Sequence, residues 1–379
     1  LTILRKISGV NLTKFRINYN GNSKSSIKDS VLFCNDFFKD NSSLSTIKKK
    51  YKLMLHGNVI TIDFQSVSSC DFSDDETFQQ FLRLSWLNQE VLDSRNNVQN
   101  FSQKYTLLLL FIKLHGLKTI FPYKHAYILS ERVSSIYEFF DENEQSEIPS
   151  IIRNLCNIYG SWIESNLEIY LGDLTGNHII NNARGLSFAS KLSLNPQFHV
   201  VSKIILEKYL HKLLTDGFLR EGSTHYHLLF CIWLTDIKLL YSEKEFSQYL
   251  EIYEKMIKIG YSLLVLGHDR CMLPLIGDVS PDKTPTKLIS FFYEDKENNK
   301  DSLLNKSRKS EIRTNKTFIV KNNFVFLGDI IRADYGDIVL FMRVPKETPL
   351  DFCASHEHKD YGSVVIYVSG EPLIIDAGR

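Results

Sequence analysis

A change in hydrophobic period near residue 310 constrains the fold more than any other feature of the sequence. Before it, apolar side chains recur every three to four residues, as at Val201, Ile205 and Tyr209, with Lys203 outside the stripe, which is typical of amphipathic helices. After it they alternate, as in residues 364–368, which is typical of strands. The predicted helices are 102–115, 129–142, 148–170, 176–191, 198–216, 224–241 and 245–266.

This pattern divides the chain into three predicted segments. Residues 1–75 form a small mixed segment in which Ser-, Asn- and Lys-rich stretches predict loops, among them 20–28. Residues 76–310 form a helical domain, and 311–379 begin an antiparallel β domain. Successive helices joined by short loops favour a toroid or stacked helical hairpins. The charged stretch 294–309 is predicted to be a loop or linker.

The composition limits the classes of partner. Lys and Arg total 45 and Asp and Glu total 44 among 379 residues, so the sequence argues against nucleic-acid binding through a broad basic face. The most apolar run, residues 107–112, is far shorter than the roughly 20 residues that span a bilayer, and no signal peptide is visible. Six scattered cysteines without a Cys-x-x-Cys pair predict neither a zinc knuckle nor a disulfide framework.

The first candidate cluster is Asn177-His178, which opens a predicted helix after a turn-like stretch. The exposed N–H groups and positive dipole end of a helix start can hold a carboxylate. A capped helix start with an ordinary surface histidine is the simpler interpretation of these residues alone.

The second cluster lies in residues 216–227, where a loop with two glycines leads into an apolar helix. Tyr226 falls in the first turn, beside histidines and near Arg220, which favours a role in proton transfer. Packing of the tyrosine in the core is an equally good interpretation. A third element, the Gly277-Asp278 turn, is more simply a plain loop than a site.

The fourth cluster combines His356 and His358 with Asp376 on the next apolar run. Two histidines and an aspartate suit zinc, with a fourth ligand or water. Alternatively, one histidine is a general base and the other binds the metal, or the stretch is a solvated, His-rich edge strand.

In their order and in the change from a helical to a β domain between them, these clusters resemble the heparinase II/III-like polysaccharide lyases, which include several alginate lyases. The motifs are Asn177-His178, the Glu-Gly-Ser-x-x-Tyr-His element at 221–227, Gly277-Asp278, and the His-x-His-x-Asp…Asp-x-Gly stretch at 356–378. The resemblance covers about residues 100–379. Pro122-Tyr123 and the Ser-Glu-Arg-Val stretch that follows it also resemble relatives associated with bacterial surface-polysaccharide gene clusters.

The resemblance implies an α+β multidomain fold, an incomplete (α/α) helical toroid followed by an antiparallel β-sandwich that continues past residue 379. It implies β-elimination on an anionic, uronic-acid-containing polysaccharide. Asn177 and His178 would hold the carboxylate, Tyr226 or His356 would take the C5 proton, and Tyr226 would protonate the leaving oxygen.

The other site residues follow from the same resemblance. Glu221, Arg220 and His227 are expected to bind substrate. His358 and Asp376 are expected to hold a structural zinc, with a third protein ligand beyond residue 379.

Two alternatives to a lyase stay open on the sequence. A uronate C5-epimerase forms the same enolate but returns the proton to the other face. A non-catalytic protein that binds glycans or assists the assembly of a surface polysaccharide would retain the fold without the reaction.

Overall fold

The computed structural model describes residues 23–40, 50–55, 58–64, 66, 71–89, 91–93, 97–98, 101–119, 122–142, 147–170, 175–268, 270–280, 283–293, 303–314, 324–344 and 362–376. The helices are α1 (Ser23–Asp40), α2 (Asp75–Leu82), α3 (Phe101–Phe111), α4 (Ala126–Glu142), α5 (Ser150–Ser165), α6 (His178–Ser193), α7 (Pro196–Leu213), α8 (Thr224–Leu240), α9 (Glu243–Phe246), α10 (Leu250–Leu263), α11 (Pro285–Phe292) and α12 (Leu303–Thr314).

The strands are β1 (Lys50–Leu55), β2 (Asn58–Asp63), β3 (Val91–Asp93), β4 (Asn97–Val98), β5 (Leu214–Thr215), β6 (Phe218–Leu219), β7 (Val265–Leu266), β8 (Cys271–Met272), β9 (Phe324–Leu327), β10 (Ile330–Tyr335), β11 (Ile338–Arg343), β12 (Val364–Val368) and β13 (Glu371–Ile374). The predicted order is therefore confirmed: helices dominate first, and strands follow.

The core is built around α6, which packs against α4, α5, α7 and α8. Gly185 permits a close approach of α6 to α4, because a Cβ there would lie 2.5 Å from the Ser130 hydroxyl of α4. Helix α8 is buried all round, from Thr224 to Ile237, as expected for a helix whose apolar residues cover its whole surface. The first turns of α4, α6 and α8 are thereby fixed relative to one another.

Ionic contacts inside this core join four helices. Asp236 of α8 accepts from Arg184 of α6 at 2.6 Å and from Arg308 of α12, and Arg184 also donates to Glu131 of α4 at 2.7 Å. Arg308 lies 3.5 Å from Glu138 of α4. The two arginines and Asp236 are almost completely excluded from water, with side-chain exposures of 0–2%.

Two sequence predictions about loops are wrong. Stretch 20–28 was expected to be a loop, but α1 begins at Ser23 and buries Ser30, Cys34 and Phe38 at a spacing of four residues. The predicted linker 294–309 overlaps α12, which buries Leu304, Arg308 and Ile312 at the same spacing of four residues. The buried face includes Arg308, whose guanidinium pairs with Asp236 in the core. The segment is therefore as rich in charged residues as a linker but forms a packed helix.

The N-terminal part is not separate from the helical part. Helix α1 packs on α5, where Asn157 donates to the Ser30 hydroxyl at 3.1 Å. Strand β1 pairs with β3, across the predicted boundary at residue 75, in a sheet of order β2-β1-β3-β4.

The C-terminal strands that the structure describes form a five-stranded antiparallel sheet of order β13-β12-β11-β10-β9. Its register places Ile338 opposite Val368 and Ile330 opposite Leu327. The antiparallel prediction is confirmed. A second sheet of a sandwich and closure of the helices into a toroid remain predictions.

This sheet docks on the end of α10. Arg332 of β10 donates from one nitrogen to the carbonyl oxygens of Ser262 and Leu264, both at 2.8 Å, which satisfies carbonyls that a helix end leaves without intrahelical partners. None of the described helices is both long and apolar enough to cross a membrane.

Candidate active site

A pocket opens where the starts of α4, α6 and α8 meet α2. Seven of the described side chains line it: Glu76, Gln79, Arg83, His125, Tyr127, His178 and Tyr226. Two of the predicted catalytic residues, His178 and Tyr226, are therefore brought to one surface although 48 positions separate their numbers.

Asn177 lies directly before α6 and is held from both its backbone and its side chain. Its N–H donates to Glu221 Oε1 at 2.6 Å, and its Nδ2 donates to Glu221 Oε2 at 2.7 Å. Gly176 makes room for this carboxylate, since a Cβ there would lie 2.7 Å from Oε1. Asn177 is 1% exposed, so it lies beneath the pocket with its amide orientation set by Glu221.

Glu221 is a buried carboxyl that acts on Asn177. Burial raises its pKa to about 6, and the Asn177 N–H and the charges of His178 and Arg220 only partly offset that rise. That Glu221 binds substrate stays a prediction; in the structure its two oxygens accept hydrogen bonds from the backbone and side chain of Asn177.

His178 is the first residue of α6, and its ring is fixed on two sides. Its Nδ1 lies 2.9 Å from Glu168 Oε1, and its ring packs on Tyr127 with the centroids 4.4 Å apart. The side chain is 42% exposed. The ring is therefore held in place while its other edge remains accessible to a ligand.

Glu168 belongs to the segment between α5 and α6. Burial alone would raise its pKa, but the hydrogen bond and charge of His178, together with His125 and Asn182, outweigh burial and lower it. His125, at the start of α4, lies 3.6 Å from the same Oε1 through its Nε2. A buried anion therefore lies behind two imidazoles of the pocket.

Tyr226 lies in the first turn of α8, as the sequence predicts. The Ser223 side chain caps the helix by accepting the Tyr226 N–H at 3.1 Å. Ser223 also donates to the Asp278 carbonyl at 2.6 Å, which ties the predicted Gly277-Asp278 turn to this helix start. Tyr226 is 9% exposed and lines the pocket, so its body packs in the core while the residue still contributes to the pocket surface.

Arg83 and Tyr127, neither of which is predicted from the sequence, complete one wall of the pocket. Arg83 donates to Glu76 at 2.6 Å and to Gln79 at 3.1 Å, and its guanidinium lies 5.1 Å from the centre of the Tyr127 ring. Tyr127 is in turn packed on His178. No motif marks these residues in the sequence; Arg83 follows the end of α2 and Tyr127 is the second residue of α4.

The two histidines that flank Tyr226 serve the fold. His227 is fully buried; its Nδ1 accepts from the Leu219 N–H at 3.2 Å and its Nε2 donates to the Met256 carbonyl at 3.1 Å. Burial lowers its pKa to about 4. That His227 binds substrate stays a prediction; in the structure both of its ring nitrogens are engaged by backbone groups.

His225 and Arg220 also lie outside the lining of this pocket. His225 accepts from the Ser280 N–H at 3.1 Å, and its Nε2 lies 2.9 Å from the Lys283 carbonyl. Arg220 is half-buried, and its backbone N–H donates to the Leu213 carbonyl at 2.9 Å.

The predicted residues of the β domain are described in part. His356 and His358 lie outside the described residues, and Asp376 is half-buried, two residues after the end of β13. Among the residues that the structure describes, no group of three His, Cys, Asp or Glu side chains is placed to hold a metal. One of the two predicted ligands alone does not define a zinc site, so no catalytic step is derived through a metal.

Comparison with known proteins gives structural neighbours but no sequence family. No protein-family model and no curated protein matches the chain. One solved structure, described as a heparinase III (BT4657 gene product), has a TM-score of 0.50 at 16% identity, covering 84% of this chain and 53% of that one. The form with methylated lysines has a TM-score of 0.51 at 15% identity, covering 98% and 59%.

A mutant of the heparan sulfate lyase HepC from Pedobacter heparinus has a TM-score of 0.49 at 15% identity, covering 96% of this chain and 56% of that one. The chain thus spans little more than half the length of these neighbours. At such identities the likeness concerns the fold: a mostly helical part followed by an antiparallel sheet, as in the heparinase III structures.

Proposed function

We propose that the protein is a polysaccharide lyase that cleaves a uronic-acid-containing polysaccharide by β-elimination. One observation carries the proposal: in a heparinase-like fold, His178 and Tyr226 line a single pocket, with Asn177 fixed beside them by Glu221. An amide, an imidazole and a phenol are the groups that such an elimination needs.

The first requirement is to make the C5 proton of the uronate more acidic. That proton is next to a carboxylate, and its removal moves further negative charge onto the carboxylate oxygens. Hydrogen-bond donors already aimed at those oxygens stabilise the enolate more than the ground state. Asn177 and His178 supply these donors in the proposal, since the Asn177 amide nitrogen has a second N–H besides the one that Glu221 accepts.

The Asn177 carbonyl oxygen is consistent with a polar ligand at this place. It is buried, and no donor among the described residues reaches it. Buried polar atoms in proteins usually have a partner. A hydroxyl or a water molecule bound together with a sugar would satisfy it.

The second requirement is proton transfer. Tyr226 is proposed to protonate the leaving glycosidic oxygen and, where the C5 hydrogen lies on the same side as the leaving group, to remove that hydrogen as well. Positioned acids and bases of this kind contribute roughly 10²–10⁴ in rate. His356 is the proposed base for the opposite geometry.

The test is to incubate the protein with a panel of uronate polymers and to follow the ultraviolet absorbance of an unsaturated product. The panel should include heparan-like, alginate and capsular polymers, with a neutral glucan as control. An absorbance rise that the neutral glucan does not give supports the lyase. Exchange of the C5 hydrogen with solvent deuterium without an unsaturated product would instead identify the epimerase, and binding without either change would identify a glycan-binding protein.

A structural zinc held by His358 and Asp376 is a separate part of the proposal. Histidine nitrogen and carboxylate oxygen are common zinc ligands. Elemental analysis of a purified protein that extends past residue 379 to the expected third ligand, before and after Asp376→Ala, tests this part without an activity assay. Equal zinc content in the two proteins, or none in either, would contradict it.

A further inference from the structure

Behind the pocket, one buried carboxylate lies against two imidazoles. Glu168 Oε1 is 2.9 Å from His178 Nδ1 and 3.6 Å from His125 Nε2. The Glu168 side chain is 7% exposed, whereas the His178 and His125 side chains are 42% and 33% exposed. The anion is therefore screened from water by the two rings that face the pocket.

Asn182 holds this carboxylate in place. Its Nδ2 donates to Glu168 Oε2 at 3.1 Å, and its Oδ1 accepts the Glu168 N–H at 3.1 Å. Asn182 is fully buried and lies four residues after His178 on α6, so both side chains are on the same face of the helix. The same face of α6 thus supplies both Asn182, which holds Glu168 in place, and the His178 ring, which contacts it.

This contact determines what His178 presents to a ligand. A hydrogen bond to an ionised Glu168 requires a proton on Nδ1. A neutral ring would then have a lone pair on Nε2, which would repel a carboxylate ligand, whereas an imidazolium donates from both nitrogens. Because Glu168 is buried beside the rings, its charge favours the imidazolium form.

We propose that Glu168 is a positioning residue that, anchored by Asn182, holds His178 and His125 as a cationic pair for a carboxylate group of the ligand. The inference rests on the proposed function for the identity of that ligand, a uronate. It adds two residues, Glu168 and His125, for which the sequence analysis assigned no role, and it makes the pocket selective for acidic over neutral sugars.

Other charged and titratable groups also act on the two rings. Those that line the pocket or interact with Glu221 beside it are Glu76, Arg83, Tyr127, Arg220, Glu221 and Tyr226. The Arg83 guanidinium opposes protonation of the rings, but Glu76 neutralises much of its charge at 2.6 Å. Glu168 is the carboxylate in direct contact with both imidazoles among the described residues, so its removal should have the largest effect on their charge.

The direct test is a proton NMR titration of the histidine rings in the wild type and in Glu168→Gln, with resonances assigned by His178→Gln and His125→Gln. The pKa values of both rings should fall by roughly one unit or more when the neighbouring charge is removed. Glu164→Gln is the matched control. It makes the same charge change at the end of α5, where Glu164 forms no ion pair with either ring among the described residues, and it should leave both pKa values unchanged.

The second arm measures recognition without turnover. Glucuronate should shift the His178 and His125 resonances of the wild type, glucose should not, and Glu168→Gln should weaken the glucuronate response at least tenfold. Unchanged ring pKa values in Glu168→Gln, or equal responses to glucuronate and glucose, would overturn the inference.

If Glu168→Gln does not fold, the histidine titration of the wild type alone still tests the inference. The His178 and His125 rings must then titrate above about pH 6.5, the ordinary value for histidine; titration at or below that value overturns the inference. Glucuronate recognition without turnover of any polymer would remove the lyase proposal and leave the cationic pair intact.

Discussion

Two groups of buried charges in this protein differ in what neutralises them. In the core, Asp236 lies between Arg184 and Arg308, and these side chains are at most 2% exposed. At the pocket, Glu168 contacts two histidines that are 33% and 42% exposed. Asp236 is neutralised by two arginines that are always charged. Glu168 is neutralised by two histidines whose charge depends on pH and on a bound ligand.

The difference separates a structural role from a functional one. Burial alone would raise the pKa of Asp236, but Arg308 and Arg184 outweigh it and lower it. No ligand is needed to complete that arrangement. At the pocket, the imidazoles of His125 and His178 stay partly exposed, so an anionic ligand can reach them, and this accessibility is typical of sites rather than of cores.

The first prediction tests whether the core cluster is structural. Asp236→Asn should lower the free energy of unfolding by roughly 3–5 kcal/mol, because two buried guanidiniums lose the charge between them. Denaturant unfolding monitored by circular dichroism measures the change. A decrease below about 1 kcal/mol would mean that Glu131 and Glu138 suffice to neutralise the arginines, and the contrast with the pocket would weaken.

The second prediction concerns catalysis at the pocket. On a confirmed substrate, Tyr226→Phe should lower kcat by roughly 10²–10⁴, because the ring keeps its packing and loses only the phenolic proton. The unfolding midpoint of Tyr226→Phe should stay close to that of the wild type, whereas the midpoint of Asp236→Asn should be lower. Near-normal turnover by Tyr226→Phe would mean that His356 carries out the proton transfer or that the proposed mechanism is wrong.

The sequence predicted much of the fold because periodicity reports which face of an element is buried. It failed where a charged residue occupies the buried face, as Arg308 does in α12. Asn177 and Tyr226 were found because glycine and serine mark the helix starts beside them. Arg83, His125 and Glu168 were missed because they lie at the ends of different elements, and helix packing, which no local pattern encodes, brings them together.

The third prediction uses Glu221, whose pKa of about 6 in the folded protein exceeds the usual value of 4.5. Between about pH 4.5 and 6 the folded state binds more protons at this group than the unfolded state does, so the contribution of Glu221 to stability decreases as pH rises through this window. The loss is roughly 2 kcal/mol. Glu221→Gln lacks this titration, so its stability relative to the wild type should increase from pH 4.5 to 6.

Denaturant unfolding of both proteins across that window measures the difference. A constant difference would show that Glu221 has an ordinary pKa in the folded protein. The hydrogen bonds of Asn177 would then be accepted by a carboxylate that is mostly ionised over this pH range. Glu168→Gln is a useful parallel, because the pKa of Glu168 is lowered. Its stability relative to the wild type should change below about pH 4.5 and with the opposite sign, decreasing as pH rises.

The smallest expected effect is at an exposed ion pair, which completes the comparison between closed and open charges. Arg270, in the turn between β7 and β8, contacts Glu371 of β13 at 2.5 Å, and the two side chains are 61% and 63% exposed. Solvent screens such a pair, so Glu371→Gln should change the free energy of unfolding by about 0–1 kcal/mol, and less at high salt. This pair joins the helical part to the sheet, as the backbone contacts of Arg332 also do. A loss above about 2 kcal/mol, well beyond the range for exposed pairs, would therefore mean that docking of the sheet depends on this contact, and that exposure alone does not decide which charges in this protein are structural.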